Sequence, residues 1–331
     1  MTQPPDPFVM ILTLGGTIAS MPSRAGADLV EPLLTADDLL ASIGRPDGIA
    51  ALRAERILSL PSGDLSFADI GALAQRVREV IDQDACGVVI TQGTDTLEET
   101  AFQLDLLLDV SQPVVVTGAL RNPTLPGADG GANLLAAIRV AGAPAAKGLG
   151  VLVVLNDEVH AARFVRKIHS YKPSAFASPA AGPLGWIAED RVRIALRPAQ
   201  ASPTLSWREN APDIPIMTMG LSTTAEIFRP LLSNPPAGIV IAGFGAGHTP
   251  SGTVEAIGAL ASKIPVVLAS RTGSGEVFSR TYGYPGSESD LLGRGCIGAG
   301  ELDPLKARML LALLLGEGAD QNRIRQAFAH Y

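Results

Sequence analysis

Two short apolar runs, each breaking into a Gly-Thr turn, constrain this chain more than anything else in it. The first runs from Phe8 to Leu12 and is rich in branched residues. That predicts a strand buried on both faces. It breaks at Gly15-Gly16, and Thr17 follows at once. Two glycines allow a sharp turn and let a ligand come close to bare backbone. The second run, Gly87-Val88-Val89-Ile90-Thr91, ends in Gln92-Gly93-Thr94-Asp95-Thr96. Leu97-Glu98-Glu99-Thr100 then opens a helix, with Leu97, Ala101, Leu104 and Leu108 at helical spacing. Alone, Gly-Gly-Thr reads as a turn with a threonine cap. Two such turns after two parallel strands place two hydroxyls and a carboxylate where open α/β sheets bind ligands.

These stretches carry a resemblance. Leu14-Gly15-Gly16-Thr17-Ile18-Ala19 resembles the Thr-Gly-Gly-Thr-Ile-Ala signature of bacterial-type L-asparaginases, and Gln92-Gly93-Thr94-Asp95-Thr96 resembles their His-Gly-Thr-Asp-Thr signature. Further segments match in order: Val116-Thr117-Gly118-Ala119-Leu120-Arg121, Ala128-Asp129-Gly130-Gly131-Ala132-Asn133-Leu134, Gly150 to Asp157, Gly182 to Ile187, and Asp303-Pro304-Leu305-Lys306-Ala307-Arg308. The resemblance covers nearly the whole chain.

Alternating strands and helices predict a mostly parallel sheet flanked by helices. Strands are expected at Arg56 to Leu60, Gly87 to Thr91, Val114 to Gly118 and Gly150 to Leu155. Helices are expected after Thr35 and ending at Gly44, after Ser66, and near 97–108 and 132–140. Leu184 to Ile194 reads as an antiparallel hairpin, and Met21 to Pro32 as a mobile loop. Pro198, Pro203 and Pro212 punctuate an aperiodic run. The expected organisation is therefore an α/β chain of two α/β domains: a larger N-terminal domain over 1–196 holding the catalytic residues, a linker over 197–213, and a smaller parallel C-terminal α/β domain over 214–331. The Gly-x-Gly-x-Gly turn at Gly243 and the Gly-Ser-Gly turn at Gly273 lack Rossmann spacing, so no cofactor is expected.

At 331 residues the chain can bury two cores. A net charge of −7 argues against a nucleic-acid surface. The cysteines, Cys86 and Cys296, are expected as free buried thiols. The four histidines, His160, His169, His248 and His330, show no metal-ligand spacing and are expected to be structural or superficial. Residues 1–7 carry no positive charge ahead of the first apolar run, and no stretch has the length of a membrane helix. A cytoplasmic protein with no membrane contact is the expectation.

Hydrolysis of a side-chain amide needs a nucleophile, a proton acceptor, oxyanion donors and a grip on the rest of the substrate. The resemblance implies Thr17 as nucleophile, Thr94 as a proton-handling hydroxyl, and Lys167 as a base or relay. An amine in a dry cleft can act as a base. On its own sequence context Lys167 reads as a solvated loop lysine, and only the resemblance reverses this. Asp95 is implied to bind the substrate α-ammonium, and it also suits an N-cap. Ser62, followed by Gly63, is implied at the substrate carboxylate, and backbone N–H groups near Thr94 as oxyanion donors. No metal is implied. The assembly implied is a homotetramer, a dimer of dimers, with a neighbouring subunit at the cleft.

Four departures touch substrate choice and turnover. Gln92 stands where the family has His. Gly63 stands where exported members carry Gln. Ala246 and His248 interrupt a Gly-Asn-Gly-Asn pattern. The segment 21–32 lacks the family's lid tyrosine. Ser23, Arg24, Asp28 and Glu31 are its polar residues, so either Tyr282 or Tyr284 takes the tyrosine's place or Lys167 acts through Thr94 alone. The leading reading is L-asparagine hydrolysis to L-aspartate and ammonia, with glutaminase side activity open. Alternatives are an amidotransferase subunit for tRNA-linked amidation and a catalytically weak amino-acid-binding protein.

Overall fold

The computed structural model describes residues 7–22, 30–32, 38 and 51–331, and every structural statement below concerns these. The helix expected from Thr35 to Gly44 falls outside them, apart from Asp38. The chain divides into two compact units, Met1–Thr204 and Leu205–Tyr331.

The first unit is built on an eight-stranded sheet. Its strands are β1 (Phe8–Thr13), β4 (Ala51–Arg56), β5 (Ala85–Thr91), β6 (Val114–Thr117), β7 (Val151–Leu155), β8 (Glu158–Ala161), β11 (Gly185–Ala188) and β12 (Arg191–Ile194). The spatial order is β12-β11-β8-β7-β6-β5-β1-β4. β4, β1, β5, β6 and β7 are parallel, and β8, β11 and β12 add antiparallel pairs. Two small ribbons complete the strand set: β2 (Ser20–Pro22) with β3 (Val30–Pro32), and β9 (Arg166–Lys167) with β10 (Phe176–Ala177). The ends of the segment expected as a mobile loop are thus paired strands; residues 23–29 lie outside the described set.

Burial explains the layering. Val9, Ile11, Val89, Val115, Leu152 and Val154 share a core with Leu134, Ala137, Ile138 and Ala141 of the helix Gly130–Gly142. Their alternate neighbours Leu12, Val88, Ile90, Val116 and Val153 are equally buried. The second face must therefore be covered too. There the helices Phe67–Asp82 and Leu97–Leu107 pack on each other and on the sheet. Ser66 starts the first of these with a capping box, accepting from the Asp69 N–H while its own N–H donates to Asp69.

Two strands differ from expectation. The strand at Arg56 to Leu60 lies earlier, at Ala51–Arg56. It is an edge strand of alternating exposure and does not announce itself as an apolar run. β7 turns straight back into β8 through Asn156 and Asp157, both left-handed at φ 50° and 61°. That is the two-residue turn that Asn and Asp tolerate best.

The second unit holds a four-stranded parallel sheet: β13 (Ile216–Thr218), β14 (Ile239–Gly243), β15 (Val266–Ser270) and β16 (Ile297–Gly298). Ile239, Ile241, Val266 and Leu268 pack with Val254, Ile257 and Leu260 of the helix Val254–Ala261. The helix Pro304–Gly316 packs against β13, β14 and β15, capped by Asp303 with Pro at its first turn. Ahead of β14 the chain forms a 3-10 turn, Ala225–Phe228, running into a short helix, Arg229–Ser233.

Candidate active site

The site grows from the carboxyl ends of β1 and β5, adjacent and parallel in the sheet. Leu14 donates its N–H to the Thr91 carbonyl at 2.9 Å, so the two strands stay paired up to their turns. Gly15 and Gly16 then adopt φ of 106° and 85°, which side chains rarely tolerate. A Cβ on Gly16 would land on the backbone of Gly93. The two turns are packed directly against each other, and only glycine allows that approach. Thr17 follows, half-buried, at the head of a 3-10 turn over Thr17–Ala19.

Thr94 is buried just beyond β5, and its Oγ1 accepts from Lys167 Nζ at 2.9 Å. The same Nζ donates to Asp95 Oδ1 at 2.7 Å. Lys167 reaches them from β9, its side chain only 15% exposed, whereas the Asp95 side chain is 79% exposed. The solvated-loop alternative for Lys167 is therefore excluded. Asp95 is not the helix cap. Thr96 holds that position, and its hydroxyl donates to the Ser62 carbonyl at 2.8 Å.

Ser62 is buried, and its Oγ accepts from the Asp95 N–H at 3.2 Å. That N–H is thus engaged rather than open to an oxyanion. A Cβ on Gly93 would come within 2.7 Å of the same Oγ. Gly63 is exposed, and a Cβ there meets nothing within 4 Å. Gln92 is buried with its Nε2 donating to the Gly93 carbonyl at 3.2 Å. So Ser62, Thr94, Asp95 and Lys167 form one hydrogen-bonded set, joined to Thr17 through the Gly16–Gly93 contact.

Sequence reading missed Glu98. It is buried in the first turn of its helix, and its Oε2 accepts from the Lys167 N–H at 2.8 Å. Asn133 belongs to the Ala128 to Leu134 motif. Its Nδ2 donates to the Gly118 carbonyl and to Asp129, and its Oδ1 accepts from the Asn156 N–H. Asp129 takes the N–H groups of Leu120 and Arg121. That motif therefore locks the turns after β6 and β7.

The histidines have other work. His160 is buried in β8, with Nδ1 3.0 Å from Ser178 Oγ, and burial pushes its ring down from 6.5 to about 4. His169 accepts from the Tyr171 and Lys172 N–H groups and organises that turn. In the second unit, His248 stands between Glu288 at 3.1 Å and the Tyr284 hydroxyl at 2.9 Å, with Tyr282 edge-on. Glu288 is buried; desolvation opposes its charge, but the N–H groups of Tyr282, Glu288 and Thr281 and the His248 ring outweigh it and hold its carboxyl below the usual range. Cys86 and Cys296 are free thiols, Cys296 buried and Cys86 half-buried; burial pushes Cys296 up to about 12. Among the described residues no three His, Cys, Asp or Glu gather as a metal cage.

Two family profiles match this chain. "Asparaginase, N-terminal" matches residues 8–200, and "Glutaminase/Asparaginase C-terminal domain" matches residues 213–328. The chain is 33% identical to a protein named L-asparaginase 2 from Bacillus subtilis (strain 168), over 98% of this chain and 87% of that protein. It is 32% identical to a glutaminase-asparaginase from Pseudomonas fluorescens biotype A, over 98% and 90%. It is 33% identical to a probable periplasmic L-asparaginase from Haemophilus influenzae, over 98% and 93%.

Proposed function

This chain belongs to the asparaginase family, and we propose from that premise how its residues divide the hydrolysis of L-asparagine to L-aspartate and ammonia. The chain is an amidohydrolase of this family. Thr17 is the nucleophile, Thr94 and Lys167 move its proton, and Asp95 takes the substrate ammonium. Ser62 and the backbone beside Gly63 take the substrate carboxylate. The observation that carries this reading is the part-buried Lys167 amine held on both Thr94 and Asp95. A threonine hydroxyl attacks poorly until a base takes its proton, and this is the one described lysine tied to a hydroxyl beside the Gly-Gly-Thr turn.

Relatives bearing the name glutaminase-asparaginase support a glutaminase side activity. The active species is a homotetramer built as a dimer of dimers, and light scattering on the active protein tests this. Two free thiols support a cytoplasmic setting, and cell fractionation tests that. No helix among the described residues is long and apolar enough to cross a membrane.

The decisive experiment is ammonia release from L-asparagine and L-glutamine by the purified protein. Turnover of asparagine is expected; absence of any ammonia would leave the amino-acid-binding alternative in its place.

A further inference from the structure

The second unit carries a side-chain relay that the amide hydrolysis above does not use. Glu288 opens the helix Glu288–Gly293, and none of its side chain is exposed. His248 closes the turn after β14, its side chain 19% exposed, with Nε2 3.1 Å from Glu288 Oε2. Tyr284 is 48% exposed, and its hydroxyl lies 2.9 Å from the other ring nitrogen, Nδ1. Carboxylate, imidazole and phenol thus follow one another from the interior of the unit to its surface.

Hydrogen-bond chemistry gives the relay a direction. Glu288 Oε1 accepts from the N–H groups of Thr281 and Tyr282, both at 2.8 Å, which favours the ionised carboxyl. An ionised carboxylate accepts only. Nε2 therefore bears the ring hydrogen, Nδ1 of the neutral ring is the acceptor, and the Tyr284 hydroxyl donates to it. The backbone locks this arrangement. His248 and Phe244 exchange N–H and carbonyl bonds at 2.8 and 2.9 Å. Thr249, next to His248, donates its N–H to the Gly286 carbonyl at 2.8 Å, and Ser287 donates to the Tyr284 carbonyl at 2.9 Å. A nucleophile bonded to a base that a third group orients is the arrangement of covalent catalysis, and tyrosine can fill the first place.

We propose that Tyr284 is an acyl-accepting nucleophile, with His248 as its base and Glu288 orienting the ring, for acyl groups carried on an aryl ester, a thioester or an acyl phosphate. The leaving group defines this class. A phenolate expels groups no more basic than itself, such as another aryloxide, a thiolate or a phosphate. Amides and alkyl esters lie outside its reach, so the relay is not a second amidase. The step balances. The O–H bond of Tyr284 breaks, and its proton goes to Nδ1 while the phenol oxygen bonds to the acyl carbon. The bond from that carbon to the leaving atom breaks with its electron pair, and the imidazolium gives the proton to the departing group. The products are an O-acyl-tyrosine and the free leaving group, and nothing is oxidised or reduced.

Exposure alone would select a different target. Tyr171 is 70% exposed and Tyr282 43%, and among the described residues the hydroxyl bonded to an imidazole is that of Tyr284. The test treats the full wild-type chain with 4-nitrophenyl acetate and follows acetylation of each tyrosine by peptide mass spectrometry. Tyr284 should react about 100-fold faster than Tyr171 or Tyr282, the lower end of what a positioned base contributes. His248→Gln, shown by circular dichroism to be folded, should bring Tyr284 down to the Tyr171 rate. Ethyl acetate should leave Tyr284 unlabelled. Acetylation in the order of exposure, with Tyr171 ahead of Tyr284, overturns the proposal, as does an unchanged Tyr284 rate in folded His248→Gln. Should that variant not fold, the comparison among tyrosines of the wild type still decides. Neither readout depends on ammonia release.

Discussion

The main-chain N–H of Lys167 donates to Glu98 Oε2 across 2.8 Å, tying a two-residue strand to the first turn of the helix Leu97–Leu107. Thr94 and Asp95 stand just ahead of that same turn. Glu98 therefore fixes the distance between the amine and its two acceptors. Removing the carboxylate with Glu98→Ala strands a part-buried donor, which costs about 1–3 kcal/mol. Displacing a catalytic group by about 1 Å costs on the order of 100-fold in rate. Glu98→Gln keeps an oxygen facing the N–H and should lose less of both. Urea unfolding and kcat on the two variants check this; equal kcat in both and in wild type would show that Glu98 does not position Lys167.

Thr17→Ala should abolish ammonia release while leaving circular dichroism and the melting curve unchanged, because the side chain is half-buried and heads only a three-residue turn. Retention of more than about a tenth of the activity, a barrier change under ~1.4 kcal/mol, would remove Thr17 from the nucleophile's role.

Gly16 and Gly63 should respond in opposite ways to alanine. At Gly16 the backbone has φ +85° and a methyl would strike Gly93, so Gly16→Ala should cost at least about 2 kcal/mol and disrupt the site. At Gly63 a methyl meets open space, so Gly63→Ala should leave stability within about 0.5 kcal/mol. Denaturant midpoints of the two variants decide it. A Gly16→Ala protein as stable as wild type would mean the two turns do not abut.

His160 makes acid sensitivity predictable. Its ring titrates at 6.5 ordinarily and at about 4 in the fold, because burial penalises the charged form. Between those values the unfolded chain binds the extra proton, so stability is full above 6.5 and falls as pH drops toward 4. The loss is on the order of 3 kcal/mol at most, reduced by Glu158, whose carboxylate lies 3.3 Å from Nε2. Unfolding free energies across that range should slope less steeply in His160→Gln than in wild type. Parallel slopes would assign the acid sensitivity to other groups.

The parallel core was legible because its strands are unbroken branched runs, as in Val88-Val89-Ile90 and Val114-Val115-Val116, which only two-faced burial explains. A helix start was legible where the cap is local, as at Ser66. β4 was displaced because an edge strand of charged and small residues carries no apolar signature. The turn at Asn156-Asp157 had its signal in the residue types, but the apolar run before it drew attention to the strand alone. Ser62, Thr94, Asp95 and Lys167 are joined by hydrogen bonds between segments far apart in the chain, which no local pattern encodes. Glu98 stayed hidden for a physical reason: an acid in a first helical turn is ordinarily a solvated partner of the helix dipole. Only the arrival of β9 from far along the chain turns it into a buried anchor.

The eight-stranded sheet ends on β4 and β12, and both ends carry guanidinium groups, Arg53 and Arg56 on one and Arg191 and Arg193 on the other. An open strand edge is a template on which another chain can polymerise. Placing cations along both edges makes two copies repel where their backbones would otherwise zip together. Among the described residues, each edge strand thus carries guanidinium groups where an unbroken apolar row would invite a second copy to pair.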